Sequence, residues 1–271
     1  MKDFYIGYIN KLPKRYKIAL SIGLPIFLIT LIFASIIFST EQEQFQNGTF
    51  ELSKETTIEG MLFQKPVPML KIEVEKGYFK DILLVDKGKF GAENRIAHLP
   101  KKEGLPVKIK GHLIYYNGHS VLEIEEINAL ESKLNFHAFN NYLEGIHNTI
   151  IGEIVDPKCY FGIMKPGFGK IHRSCAIRCI SGGIPAVLVH RNNDGLESYY
   201  IITRKDGTKD NSDLFDLIGK TVQIHAKIKK GKDWNFLELD DRSKKLIINE
   251  QGYSYYPITT TLPTETVVCK H

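Results

Sequence analysis

The sequence predicts a mainly β protein carried on one membrane-crossing helix, and three observations predict it. A run of 21 uncharged residues, 18–38, follows a cationic N-terminal tail. From residue 50 onward, short stretches rich in Val, Ile, Tyr and Thr alternate with Gly, Asn, Asp and Pro, the patterning of strands and turns. That strand pattern then occurs twice in the same order. With 271 residues, 25% charged and 43% hydrophobic, the chain is long enough for a packed core and unlike disordered, collagen-like or disulfide-stapled chains.

The first element is the apolar run. At about 1.5 Å rise per residue it spans roughly the 30 Å hydrocarbon core of a bilayer. A signal peptide has a shorter core and small residues at its cleavage site, whereas this run ends Ile36-Ile37-Phe38-Ser39-Thr40, so a retained anchor is expected. Pro25 is compatible with a transmembrane helix. The tail, residues 1–17, holds Lys2, Lys11, Lys14, Arg15 and Lys17 against Asp3, and Glu41, Glu43 and Glu51 follow the helix. The positive-inside rule therefore puts the N-terminus in the cytoplasm and the rest outside, in the periplasm of a cell with an inner membrane. The tail carries +4 of the formal net charge of +5. The basic balance thus reports topology, and the nearly neutral external part argues against nucleic acid as a partner.

The repeated unit begins with Thr57-Ile58-Glu59-Gly60-Met61-Leu62, which can be laid on Ile150-Ile151-Gly152-Glu153-Ile154-Val155. Leu83 onward matches Ile201 onward, and Val107-Lys108-Ile109 matches Val222-Gln223-Ile224. The turns Tyr116-Asn117-Gly118 and Lys230-Gly231-Lys232 precede Val121-Leu122-Glu123 and Phe236-Leu237-Glu238. A strand, a strand pair, a loop and a hairpin in this order resemble the OB-fold family of five-stranded barrels. The resemblance implies two OB-like five-stranded β-barrels, over 50–130 and 149–248, joined by a helix. Leu134, Phe136, Phe139, Tyr142, Leu143 and Ile146 recur at helical spacing and predict that connecting helix within 131–148. The remainder, 249–271, with Tyr253, Tyr255 and Tyr256, reads as an extended tail.

The two units differ in one place. Gly60 to Leu83 is 23 residues and Gly152 to Ile201 is 49, so the second unit carries about 26 extra residues between its first two strands. This insertion, 156–185, holds three of the four cysteines. A short helix over 170–180, stopped by Gly182-Gly183, places His172, Cys175 and Cys179 at i, i+3 and i+7 on one face. Cys159 arrives from the preceding loop. Three thiolates and an imidazole suit zinc or copper in its cuprous state. The same cluster fits a disulfide, Cys159 with one of the helical cysteines, in an oxidising compartment. It also fits redox-active thiols, with Arg173 and Arg178 favouring the thiolate form. Cys269 and His271 are second-rank donors because they lie at the terminus.

Cys159, His172, Cys175, Ala176, Cys179, Gly182, Gly183 and Pro185 form a segment similar to one in uncharacterised exported bacterial proteins, a resemblance of about 30 residues that implies no established activity. The plan of one anchor and an external OB-like body is also similar to the haem chaperone of cytochrome c maturation, whose His-x-x-x-Tyr attachment motif is missing here. Gly167-Phe168-Gly169-Lys170 lacks the spacing and following Ser/Thr of a phosphate loop, so it is read as a turn. No Gly-x-Ser-x-Gly, Cys-x-x-Cys-His or His-Glu-x-x-His signature occurs. Tyr115, Tyr116 and Trp234 are the residues able to stack on bases. The expectation is a membrane-anchored accessory protein with a Cys/His site, serving a complex in the membrane, with a structural module or a thiol-disulfide protein as alternatives.

Overall fold

The computed structural model describes residues 13–40, 48–131, 143–192, 194–205, 211–250 and 252. Helix α1, Lys14–Thr40, contains the whole predicted apolar run. None of its residues is buried, and its mean hydropathy reaches 2.5 over 18 residues, long and apolar enough to cross a bilayer.

The body is mainly β. Strands β1 (Thr49–Phe50), β2 (Thr56–Phe63), β3 (Met69–Glu75), β4 (Tyr78–Val85), β5 (Leu105–Tyr116) and β6 (His119–Ala129), with the short helix α2 (Glu93–Ile96), form the first half. Its sheet closes through the circuit β2-β3-β4-β6-β5, with β4 and β6 parallel and β1 added alongside β5. The second half has β7 (Leu143–Val155), helix α3 (Gly169–Ser181), β8 (Val187–Arg191), β9 (Glu197–Arg204), β10 (Thr221–Lys230), β11 (Asn235–Leu239) and β12 (Lys244–Asn249). It closes through β7-β8-β9-β11-β10, with β9 and β11 parallel and β12 alongside β10. Both halves are therefore closed five-stranded barrels with the same strand order, as the OB resemblance implies. Closure leaves no unpaired edge within either circuit.

Residues 143–147 correct one boundary. Leu143 and Ile146 end the apolar series that predicted the connecting helix, yet they lie in β7, where Leu143 pairs with Lys230 and Ile146 with Ile228 of β10. Strand pairing overrides the helical spacing there, and Ile146 is exposed rather than part of an apolar stripe. The rest of that predicted helix, and the tail carrying Tyr253, Tyr255, Tyr256, Cys269 and His271, fall outside the described residues.

Strand registers refine the repeat. Leu83 faces Val121 and Ile201 faces Phe236 across the two parallel junctions, which supports laying Leu83 on Ile201. Gly60 faces Val107, whereas Gly152 faces Val222. The equivalent of Gly60 is thus Gly152, one residue from the alignment of the first strands given above. Both glycines admit a crossing backbone: a Cβ on Gly60 would lie 2.7 Å from the Lys71 carbonyl oxygen, and one on Gly152 would lie 2.5 Å from that of Val189. The slip moves Glu153 onto the position of Met61. In a period-two element one step exchanges the inner and outer faces, so the correction decides where Glu153 points.

Among the described residues three large apolar clusters, with a small fourth of Met61 and Phe63, build the body. Leu62, Leu70, Leu84, Val107, Ile109 and Leu122 are among those filling the first barrel, and Ile154, Leu188, Ile218, Val222, Ile224 and Leu237 among those filling the second. A third lies between the barrels, joining Met69, Leu83, Ile114 and Val121 to Phe161, Tyr199, Trp234 and Phe236. The contacts there are reciprocal. In the first barrel's β5–β6 hairpin, the Asn117 amide donates to the Tyr199 hydroxyl at 3.2 Å; in the second barrel's β10–β11 hairpin, the Trp234 indole donates to the Asp81 carbonyl at 3.2 Å. By the registers above, Asp81 corresponds to Tyr199 and His119 to Trp234. The last two rings meet edge to face at 4.8 Å. The sister barrels are thus packed by an approximate two-fold relation through their second and third strands, the surface that OB domains offer to oligonucleotides. Trp234 is fully buried in this interface, so it is no exposed stacking platform.

Candidate metal centre

The insertion sits where spacing places it. Five residues, 64–68, join the first two strands of the first barrel, and 31 residues, 156–186, join those of the second. The insertion folds as a π-helical turn, Cys159–Ile163, followed by α3. The turn is anchored by its aromatic residues. The Tyr160 hydroxyl donates to Glu197 at 2.8 Å, and the Phe161 ring packs 5.0 Å from Tyr199 and 5.8 Å from Trp234. This holds Cys159 at the edge of the inter-barrel core. Helix α3 lacks a side-chain cap from Phe168 at its start. The buried Glu153 carboxylate accepts from the Gly169 N–H instead, satisfying an orphan donor at the positive end of the helix.

Helix α3 covers the predicted 170–180 and presents His172, Cys175 and Cys179 toward Cys159. The donor atoms of Cys159, His172 and Cys175 lie within 4.8 Å of one another, as do those of Asp156, Cys159 and Cys179. This Cys/His group can hold a metal ion. All three cysteines are free. The structure thus gathers the predicted donors around Cys159 in two overlapping groups, His172 and Cys175 in one and Cys179 in the other, and adds Asp156 to the second.

Asp156 organises the centre with both oxygens. Its Oδ1 accepts the Cys159 N–H at 2.8 Å, fixing the start of the turn, and its Oδ2 accepts the His172 Nε2–H at 3.1 Å. Donation from Nε2 leaves the neutral ring's lone pair on Nδ1. Nδ1 is buried and has no hydrogen-bond partner. A buried imidazole nitrogen left open while a carboxylate holds the other one is the arrangement of histidine ligands in metal sites.

Electrostatics separate the thiols. The Cys159 thiol is pushed far up, first because it gives its hydrogen bond to Cys179 and then by burial. Cys179 is pulled below the ordinary thiol value, chiefly as the acceptor of that bond, with the Lys89 charge assisting. The cation at the sulfurs is Lys89, whose Nζ is 2.8 Å from Cys175 Sγ and 3.9 Å from Cys179 Sγ. This corrects the expectation for the arginines. Arg173 instead donates to the Gly219 and Glu250 carbonyls, and Arg178 is exposed. A lysine 86 residues before Cys175 comes from the other barrel, so no local signal could have found it.

The loop bearing Lys89 is fastened to the insertion. Lys158, itself buried, donates to the Asp86 and Gly88 carbonyls at 2.9 and 2.7 Å and pairs with Glu123. The Gly91 N–H donates to the Gly182 carbonyl at 3.1 Å. The approach is close enough that a Cβ on Gly182 would lie 1.9 Å from the Lys89 carbonyl oxygen. The centre therefore lies where the two barrels meet, with four donors from the second and one cation from the first.

No family model matches the chain, and no curated protein matches it. Among solved structures, a deletion mutant of the single-stranded DNA-binding protein from Thermus aquaticus is similar at 12% identity, over 71% of this chain and 94% of that one, with a TM-score of 0.18.

Proposed function

We propose that this chain is a single-pass, membrane-anchored accessory protein that holds one metal ion, zinc or cuprous copper, on Cys159, Cys175, Cys179 and Nδ1 of His172. The observation that carries the reading is the buried, unpartnered Nδ1 of His172, backed by Asp156 on Nε2, in a ring that has a nitrogen within 4.8 Å of the Cys159 and Cys175 sulfurs. A buried acceptor without a partner costs about 1–3 kcal/mol; a bound ion removes that cost. Within the donor set, three thiolates with a divalent ion leave one negative charge, which the Lys89 ammonium matches. A cuprous ion would leave two, so zinc is the better fit.

In this reading α1 is a retained anchor, the tail 1–17 is cytoplasmic, and the two-barrel body faces the periplasm, where it serves a respiratory or metal-handling complex. The excess of positive charge before α1 supports that orientation. The Cys/His and Gly-Gly-x-Pro segment, which resembles one in exported bacterial proteins, supports the same orientation. The test is metal analysis of the full chain purified in mild detergent under reducing, metal-replete conditions. About one equivalent of zinc or copper is expected, and the double variant His172→Ala, Cys175→Ser releases it. Metal-free wild-type protein under those conditions removes the reading, as does a reduction-resistant Cys159 disulfide in the native chain.

A further inference from the structure

We infer that Cys175 is the exchangeable ligand of this centre and that Lys89 receives its departing thiolate, so that the ion can be handed to a thiolate-bearing acceptor. The inference rests on the metal reading above and concerns what the centre does with its ion.

Exposure divides the donors unequally. Cys159, Cys179 and His172 are 5%, 1% and 2% exposed, whereas Cys175 is only partly buried and packs at the margin of the inter-barrel cluster. An incoming ligand therefore reaches the centre on the Cys175 side. A structural site is closed on all sides, and a site that reacts keeps one position open to exchange. The Lys89 side chain, exposed to solvent, stands on that same side, 2.8 Å from the Cys175 sulfur.

The cation stays in place when the sulfur leaves. Its loop is tied to the insertion through the Lys158 ammonium and the Gly91–Gly182 hydrogen bond, and the Arg95 guanidinium grips Asp86 at 2.7 Å. Exchange is then a substitution at the metal. The acceptor's sulfur donates a lone pair to the ion as the bond from the ion to Cys175 Sγ breaks, and that sulfur keeps its own pair. No electron changes hands and no proton is released, because the entering donor is already a thiolate. A metal-bound sulfur shares its charge with the ion, whereas the freed thiolate carries a full charge. Lys89 therefore stabilises the exchanged state more than the bound one, since hydrogen bonds to ionised partners are the stronger kind.

The test uses the full chain in detergent, loaded with zinc, and follows by stopped flow the transfer of zinc to 2,3-dimercaptopropanol held above its first thiol pKa, so that the entering sulfur is a thiolate. Wild type, Lys89→Met and Lys89→Arg are compared after their zinc content is measured. With rates normalised to the zinc each protein holds, the expected result is transfer about tenfold slower per bound ion in Lys89→Met and recovery of most of that loss in Lys89→Arg. Transfer from Lys89→Met at the wild-type rate overturns the inference, and so does an arginine variant as slow as the methionine one. Loss of zinc from Lys89→Met also overturns it, by making Lys89 a requirement for binding. Wild-type protein that takes up no zinc fails at the loading step, which marks a failure of the metal reading itself.

Discussion

Asp156 holds the centre together at the scale of single residues, because one oxygen sets the backbone of Cys159 and the other sets the ring of His172. In Asp156→Asn, an amide oxygen can still accept from Cys159 N–H, but the carboxylate charge behind the imidazole is gone. Zinc affinity is expected to fall about 10–100-fold with the fold intact, as measured by competition with a zinc-binding dye; unchanged affinity would remove Asp156 from the centre. Three of the four donors were legible in the sequence because spacings of three and four on a helix place His172, Cys175 and Cys179 on one face, and Cys159 because it falls in the same insertion. Asp156 was not, since an aspartate before Pro157 reads as turn chemistry. Lys89 was hidden by its distance along the chain, and Glu153 by the one-residue slip between Gly60 and Gly152.

Among elements, the first strand of each barrel depends on a glycine that lets a neighbouring backbone approach. A methyl group at Gly152 meets the Val189 carbonyl oxygen at 2.5 Å and the buried Leu188 side chain at 2.9 Å, which leaves little room to yield. Gly152→Ala is expected to lower unfolding stability by about 1–3 kcal/mol, seen as a lower urea midpoint, and Gly60→Ala should behave alike. A Gly152→Ala midpoint equal to wild type would show that the register assigned to β7 is wrong. The barrels themselves were legible because alternation, turn residues and element order agree at every level. Helix α3 was legible for the same reason, bounded by Gly182 and Gly183. The end of the connecting segment was not, because an apolar series at helical spacing says nothing about pairing with a strand some 80 residues later. In β7 that pairing, from Leu143 with Lys230 to Glu153 with Thr221, determines the structure.

For the molecule as a whole, the two barrels behave as one folded body whose seam carries His119, Trp234 and the edge of the metal centre. Burial holds the His119 ring below its ordinary pKa, outweighing the Asn117 and Asp233 carbonyls and the Asp233 charge, which act the other way; Lys80 adds to the depression. A depressed histidine gives its full stability above the unfolded-state value near 6.5. As pH falls below that, the unfolded chain takes up the proton first, and stability declines until the folded ring also protonates. Trp234, the chain's only tryptophan, lies 4.8 Å away and reports the seam by fluorescence. Urea unfolding followed at Trp234 should show wild type losing more stability than His119→Gln between pH 7.5 and 5.5. Equal losses in the two proteins would assign the acid sensitivity to other groups. The same seam explains why an OB-like strand order need not mean an open binding groove, since each barrel covers its sister's second and third strands.

The central claim is that the loop by which the second barrel differs from the first surrounds one ion with sulfur and imidazole. X-ray absorption at the zinc edge of the loaded full-length protein tests it most directly. Three sulfur neighbours at about 2.3 Å and one nitrogen at about 2.0–2.1 Å are the predicted shell. A shell of oxygen and nitrogen alone would contradict the claim.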